Sequence, residues 1–267
     1  MDTLKEFNTG DIYIRHAVDL HPDGRSFEFH VHDRCEIYYF IDGSAEYLVE
    51  GSVYALERGS LLIMRPGEAH RVRIVSEERY ERYAVNFPLS VFDSFDPRRT
   101  LMIPFTDRPL GKGNCFSLPG QEGAFEEMCR DDLDVYGRRV TAVTKLMMLT
   151  DLIGACSRRE LPSYGGADTV EKKMVAYVNE HLFDEFTVES LAEHFFLSRS
   201  QLCRTFKRAT GASPWDYILA KRLLAAKQMI DNGSTARHAA ESCGFGDYSG
   251  FYRAFVKRFG HSPKGVR

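Results

Sequence analysis

The stretch LCRTFKRATGASP at residues 202–214 returns 49 residues later as FYRAFVKRFGHSP at residues 251–263. The two copies align Arg204 with Arg253, and both end in a glycine, one spacer residue, a serine and a proline. A repeat of this kind indicates one supersecondary unit that is used twice. The sequence therefore predicts an all-α C-terminal domain that contains a duplicated unit.

Each copy follows a short helical stretch and a tight turn. Thr187 and Asp247 are placed to cap helices, since their side chains can accept hydrogen bonds from the free amides of a first turn, and Ser198 with Gln201 has the spacing of a capping box. A long helix that begins at Pro214 separates the copies. Two short helices, the second with exposed Arg and small polar residues, predict a helix-turn-helix that fits the DNA major groove. The alternative is a plain helical bundle with a basic face.

The sequence upstream is strand-like up to about residue 105. The stretches FEFHVH, EIYYFI, AEYLVE, SLLIM and YAVNF are rich in aromatic and β-branched residues and are separated by glycine turns. Strands at this spacing predict an antiparallel sandwich or barrel. Beyond residue 120, apolar residues recur at helical spacing and predict helices over 122–135 and 138–157. The fold class is therefore α+β, with an N-terminal antiparallel β-barrel followed by helices and an all-α C-terminal domain.

The length of 267 residues fits two domains. We place a barrel domain at 1–110, a helical segment at 111–157, a linker rich in Pro and Gly at 158–167, and the helical domain at 168–267. Residues 1–167 carry 20 Lys and Arg against 27 Asp and Glu, whereas the remainder carries 15 against 11. An acidic first part joined to a basic second part is expected of a sensor attached to a polyanion-binding unit.

A cluster of histidines marks the predicted barrel. His30 and His32 share one face of an extended segment because alternate residues do so, Glu36 follows past a turn, and a second hairpin can bring His70 opposite. Three imidazoles and a carboxylate suit a first-row divalent transition metal; the alternative is that they only line the pocket of a small organic effector. Further pocket candidates are Tyr38, Tyr47 and Arg65.

The chain resembles two known families. Residues 170–267, with VESLAEHFFLSRSQLCRTFKRATGASPWDYI and AAESCGFGDYSGFYRAFVKRFGHSP, resemble the DNA-binding domain of AraC/XylS transcription regulators. The spacing G-x5-H-x-H-x3-E-x6-G from Gly24 to Gly43 matches the first cupin motif, whereas the second motif matches in part, with Ile74 in place of the usual Asn. The resemblance implies a cupin sensor joined to seven helices, two helix-turn-helix units and promoter binding, often by activators. One departure is Ala236 and Ala239, where larger aliphatic residues are usual.

The same resemblance assigns DNA contacts to the two recognition helices. Candidate base-reading positions are Ser200, Cys203, Arg204, Tyr248, Ser249 and Arg253. Lys207, Arg208, Lys257 and Arg258 are candidate phosphate contacts or part of a solvated face, and Ser198 and Arg199 are further DNA-binding candidates.

These features favour a cytoplasmic transcription regulator without enzymatic activity. The N-terminus lacks the features of a signal peptide, no apolar run is long enough to span a membrane, and the six cysteines have no C-x-x-C pairing. We expect a small-molecule effector, a sugar or related metabolite among the candidates, whose binding is relayed by helices 122–157. Expected partners are promoter DNA, RNA polymerase and a second copy that pairs through the helix over 140–153; the alternative for this helix is ordinary packing on its own barrel. The alternatives are a metal-dependent cupin dioxygenase or isomerase with an accessory DNA-binding domain, and a DNA-binding protein whose barrel serves only dimerisation.

Overall fold

The computed structural model describes residues 3–23, 27–156, 169–185 and 187–264. The strands within these ranges are β1 (Thr3–Asn8), β2 (Tyr13–Asp19), β3 (Cys35–Asp42), β4 (Ala45–Val49), β5 (Ser52–Ala55), β6 (Ser60–Met64), β7 (His70–Ile74), β8 (Tyr80–Phe87) and β9 (Cys115–Ser117). The helices are α1 (Ile103–Thr106), α2 (Glu122–Met128), α3 (Val135–Ala155), α4 (Val170–Glu180), α5 (Val188–His194), α6 (Arg199–Thr210), α7 (Pro214–Asp231), α8 (Ala236–Ser242) and α9 (Tyr248–Phe259). The predicted fold class, strands followed by helices and then an all-α unit, is confirmed.

The strands form two antiparallel sheets. One has the order β1-β2-β8-β3-β6-β9 and the other the order β5-β4-β7. Strand β3 lies inside the larger sheet and is buried on both faces, because Ile37 and Tyr39 face one apolar cluster while Tyr38 and Phe40 face another. This explains why EIYYFI reads as a continuous apolar run rather than an alternating one.

The two faces of β3 belong to two different cores. Tyr38 packs with Tyr47 of β4 and Val72 of β7, so this cluster joins the two sheets. The other cluster lies between the larger sheet and the helices that follow it, and includes Phe125 of α2 and Leu146 of α3. The helices that follow the strands, α2 and α3, therefore pack on the larger sheet.

Two local predictions were wrong. The first helix ends at Met128 rather than at residue 135, and the second begins at Val135 rather than at residue 138, because the extended Asp134 caps α3 by accepting a hydrogen bond from the Gly137 amide. The stretch FEFHVH is not a regular strand within residues 27–32; its one ladder contact is an isolated antiparallel bridge between His30 and His70. The predicted linker at 158–167 and the motif residue Gly24 lie outside the described residues.

The C-terminal unit has six helices, α4 to α9, within the described residues, where the resemblance implied seven. The predicted caps are confirmed: Thr187, Ser198 and Asp247 each accept hydrogen bonds from first-turn amides, and Ser198 with Gln201 forms the capping box. Ser213 caps α7 in the same way, with Pro214 in the first turn.

Helix α7 connects two small cores. Its Tyr217 and Leu224 pack with residues of α4, α5 and α6, whereas its Leu223 and Ile230 pack with residues of α8 and α9. Each helix-turn-helix is thereby held on one long helix. Among the described residues, none of the helices has the length and apolarity that crossing a membrane requires.

Candidate functional site

A cavity of about 540 Å³ lies beside the histidines predicted from the sequence. His30, His32 and Glu36 line it, together with Tyr38 and Tyr47, the two tyrosines that the sequence analysis names as pocket candidates. Arg15 and Arg82 add positive charge to the wall, and Arg82 is ion-paired with Asp19. The cavity thus combines aromatic surface with polar groups that converge at the histidines.

Four predicted ligands come together at this cavity. His30, His32, Glu36 and His70 each offer one ligand atom, and these atoms all lie within 4.8 Å of one another. The Nε2 atoms of His32 and His70 lie 3.0 Å and 3.5 Å from Glu36 Oε2. The residues come from the 27–32 segment, β3 and β7, and the bridge between His30 and His70 holds two of them side by side.

The orientation of each imidazole is set by a backbone carbonyl. The Nδ1 atoms of His30, His32 and His70 lie 3.0, 3.0 and 2.8 Å from carbonyl oxygens two residues away. A carbonyl can only accept, so Nδ1 is the donor in each ring, and Nε2 of the neutral ring presents a lone pair. Metal-ligating histidines are oriented in this way.

The inward nitrogens face a carboxylate, which also only accepts. His70 Nε2 is buried and has no hydrogen-bond partner within the part of the chain that the structure describes. Lone pairs that face a carboxylate need a proton or another cation between them. A divalent transition metal satisfies this arrangement, because it takes imidazole nitrogens and a carboxylate oxygen at once.

The charges of the cluster agree with this description. Burial and the neighbouring His70 lower the pKa of His30 to about 4, so its ring is neutral at pH 7. Burial alone would raise the pKa of Glu36, but His32 and His70 hold it well below its usual value. Burial likewise opposes the charged form of His70, but the Glu36 carboxylate outweighs this and raises its pKa. The Glu36 carboxylate is therefore ionised, and it favours positive charge on the neighbouring His70.

Glu36 has two polar neighbours beside the histidines, of which the sequence analysis named Tyr47 and missed Asn86. The Asn86 amide donates to Glu36 Oε2 at 2.8 Å, and the Tyr47 hydroxyl donates to Glu36 Oε1 at 3.2 Å. Asn86 lies on β8 directly opposite Glu36 in the sheet register. Asn86 reaches Glu36 only through the pairing of β3 with β8, and no local sequence motif predicts this contact.

The prediction that Arg65 lines the pocket is wrong. Its guanidinium donates to the carbonyl oxygens of Thr106 and Arg108, at 3.0 and 2.9 Å. The side chain therefore fastens the segment after α1 to the end of β6, away from the cavity.

The first recognition helix, α6, presents most of its predicted DNA contacts to solvent. The exposed members are Ser198, Arg199, Ser200, Arg204, Lys207 and Arg208, while Cys203 is half-buried. Arg199 pairs with Glu189 at 3.2 Å and Arg208 with Glu171 at 2.5 Å. Such surface pairs are weak and can be exchanged for phosphate.

The second recognition helix, α9, differs from the first. Ser249, Arg253 and Lys257 are exposed. Tyr248 is half-buried against the core of its unit, with the Arg237 guanidinium 5.3 Å from its ring. Arg258 was expected on the phosphate-contacting or solvated face, but its guanidinium donates to the Val31 carbonyl at 2.9 Å. The two helices therefore offer unequal sets of free side chains.

Family models match both parts of the chain. An AraC-like ligand binding domain matches residues 16–102, and a helix-turn-helix domain matches residues 191–267. The chain is 24% identical to the HTH-type transcriptional activator RhaS of Salmonella schwarzengrund over 95% of this chain and 96% of the relative. It is 38% identical to the probable transcriptional regulator LumQ of Photobacterium leiognathi, over 33% and 36% of the two chains. Among solved structures, an apo variant of ToxT from Vibrio cholerae is 11% identical, covers 98% of this chain and 94% of its own, and has a TM-score of 0.41.

Proposed function

The chain belongs to the AraC family of transcription regulators, and from this premise we propose that it is an activator whose DNA affinity depends on what occupies the histidine cavity. One observation carries the proposal: the same chain contains two exposed recognition helices and a cluster of three imidazoles and a carboxylate. Such an arrangement makes control of transcription a coupling free energy between two sites.

The DNA-binding part of the proposal rests on α6 and α9. Ser200 and Arg204 on α6, and Ser249 and Arg253 on α9, lie near the start of exposed helices, where a helix-turn-helix presents its base-reading residues. Lys207 and Lys257 lie one turn further on, where phosphate contacts are expected. We assign base reading to the first four and phosphate contact to the two lysines.

The effector part rests on the cavity. His30, His32, Glu36 and His70 would hold a divalent transition metal, which supplies positive charge and open coordination positions for an oxygen-bearing effector. Tyr38, Tyr47 and Phe29 supply apolar surface around it. A small polar metabolite such as a sugar or sugar acid fits this combination of a cation and aromatic walls.

The protein is further proposed to act in the cytoplasm as a homodimer that contacts RNA polymerase. On α3, Tyr136, Val140 and Met147 are exposed and lie on one face, because they are spaced four and seven residues apart. The opposite face of α3 is used in the protein's own core. An exposed apolar stripe of this kind suits a second copy of the same helix.

The alternative function is a metal-dependent oxygenase or isomerase of the cupin type. An open cavity beside the ligand cluster favours it, since a substrate could reach the metal. We favour the regulator because the curated relatives that match along most of the chain are transcription regulators. Turnover of a candidate metabolite by the metal-loaded protein would support the enzyme instead.

A duplex selection tests the proposal. The full chain is used to select duplexes from a random-sequence pool, and gel shifts then compare the selected duplex with a scrambled one, with and without Co²⁺. We expect preference for the selected duplex at physiological salt and a change of its affinity with Co²⁺. Equal and weak binding to both duplexes would contradict DNA reading, and selective binding with no response to Co²⁺ or to a metabolite screen would leave a regulator whose barrel serves dimerisation alone.

A further inference from the structure

The segments that carry the histidines also form the surface on which the DNA-binding unit rests. Val31 lies between His30 and His32, and Ala69 precedes His70. Both are buried in the same apolar cluster as Met174 of α4, Phe206 of α6 and Tyr217 of α7. The side chains that alternate with the ligands therefore belong to the core of the first helix-turn-helix.

Aromatic contact reinforces this junction. The Phe29 ring lies 5.6 Å from the Tyr217 ring, measured between centroids. Phe29 also lines the histidine cavity. One side chain thus contacts both the cavity and the central helix of the DNA-binding unit.

A buried ion pair fixes the two domains to each other. Lys221 Nζ lies 2.7 Å from Glu50 Oε1, and both side chains are almost fully buried. The Tyr217 hydroxyl and the Asn179 amide donate to the other carboxylate oxygen. The same Glu50 also accepts from the Ala69 amide at 2.7 Å, one residue before His70.

Glu50 lies in the tight turn between β4 and β5. Val49 pairs with Ser52, so Glu50 and Gly51 form a two-residue hairpin loop, with φ of 49° and 79°. Such a loop requires positive φ at both central residues. The turn therefore sets the backbone position from which the Glu50 side chain reaches Lys221 and Asn179.

Two polar contacts lie at the edge of the same junction. Lys227 Nζ of α7 pairs with Asp33 at 2.8 Å, and Arg258 of α9 donates to the Val31 carbonyl at 2.9 Å. Both acceptors adjoin His32 in sequence. Segment 29–33 is therefore held by both helix-turn-helix units and by the helix between them.

From this arrangement, and resting on the proposed function, we propose that α7 senses the histidine site directly: docking of α7 on segments 29–33 and 68–70 orders the site, and filling the site strengthens docking. This assigns the relay to Glu50, Tyr217 and Lys221 rather than to helices 122–157. The buried residues of α3 support that assignment, since they pack in the cluster between the larger sheet and its own helices. The coupling is reciprocal by thermodynamic linkage.

Hydrogen exchange on the full chain tests the docking step without any ligand. The amides of His30 and His70 donate to each other's carbonyls at 3.1 and 3.0 Å. In Glu50→Gln we expect both amides to exchange about tenfold faster, because the junction that covers their segments opens more often. The double variant Glu50→Gln/Lys221→Met removes both buried charges and keeps the test decisive if the single variant does not fold.

A milder variant has a matched control. Lys227→Met removes the pair with Asp33 and a pair with Asp231 within α7, whereas Lys145→Met removes the pair between Lys145 of α3 and Glu127 of α2 at 2.7 Å. The two lysine side chains are equally exposed, at 21% and 22%. Faster exchange at His30 and His70 in Lys227→Met but not in Lys145→Met supports the proposal. Wild-type exchange at both amides in the Glu50 variants, while α7 amides exchange faster, overturns it.

Co²⁺ and the selected duplex test the functional consequence. If Co²⁺ changes the duplex affinity of the wild type, Lys227→Met and the Glu50 double variant should lose most of that response, whereas Lys145→Met should keep it. An unchanged response in both junction variants overturns the proposal. If Co²⁺ does not bind the wild type, the metal part of the proposed function fails, and the exchange experiment alone decides the docking proposal.

Discussion

Phe196 in the first helix-turn-helix turn adopts the same left-handed backbone conformation as Gly244 in the second, with φ of 55° and 75°. In both turns the following amide donates back to a carbonyl five residues earlier, at 2.9 and 3.0 Å. At Gly244 an added Cβ would lie 2.6 Å from the Phe183 carbonyl oxygen, so glycine is required there. The first turn instead carries a phenylalanine whose side chain is 96% exposed.

Phe196→Gly should therefore stabilise the protein by about 0.5–1 kcal/mol. It removes the steric cost of a left-handed residue that has a Cβ, and this cost exceeds the conformational entropy that glycine loses on folding. Phe196→Ala keeps the strained conformation and serves as the control. Urea unfolding of the full chain measures both. A Phe196→Gly protein that is less stable than wild type would show that the ring makes stabilising contacts.

Arg204→Ala and Lys207→Ala should affect DNA binding differently. Loss of a base contact is expected to cost about 1–3 kcal/mol on the selected duplex and to relax sequence preference at one position. Loss of a phosphate contact should weaken all duplexes alike and lower the salt slope by about one. Gel shifts over a salt series distinguish the two. Identical behaviour of Arg204→Ala and wild type would remove the base-reading assignment.

Glu36→Gln should weaken Co²⁺ binding by more than about tenfold, because it removes the anionic ligand and its contact with His70. His181→Ala is the control, since His181 is exposed and pairs with Asp184 elsewhere. Isothermal titration or the Co²⁺ absorption spectrum reports the affinity. Equal affinity in the three proteins would place the ion outside the histidine cluster.

Val140→Glu should convert a dimer into a monomer while changing the stability of the fold by less than about 0.5 kcal/mol, since Val140 is exposed on α3. Val75→Glu provides a matched control, because Val75 is about as exposed, at 60% against 66%. Light scattering after size exclusion gives the mass. A wild type that is monomeric at tens of micromolar would contradict pairing through α3.

The stability gained from Glu50 should be lost in acid. Burial alone would raise the pKa of this carboxyl, but Lys221 and the hydrogen bonds of Tyr217 and Ala69 bring it below its ordinary value of 4.5. The unfolded chain then binds the proton more tightly, so protonation favours unfolding. The stability difference between wild type and Glu50→Gln should be complete above pH 4.5 and shrink as the pH falls below it. Urea unfolding across this range measures the difference, and a constant difference would contradict the ion pair.

The sequence determined the features that depend on neighbours along the chain. The caps at Thr187, Ser198 and Asp247 and the two turns were predicted correctly because each rests on contacts two to five residues apart. The prediction that His30 and His32 share one face followed from the alternation of side chains along an extended segment. These interactions form within one segment, whatever the rest of the chain does.

Tertiary structure decided which distant segments meet. Asn86 reaches Glu36 through strand pairing, Arg65 is drawn out of the pocket by carbonyls around α1, and Glu50 meets Lys221 across 171 positions. Such contacts depend on the order of strands in a sheet and on how one core packs against another. Neither the order of the strands nor the packing of the cores has a local sequence signature, because the free energy that selects each of them is shared among many buried side chains.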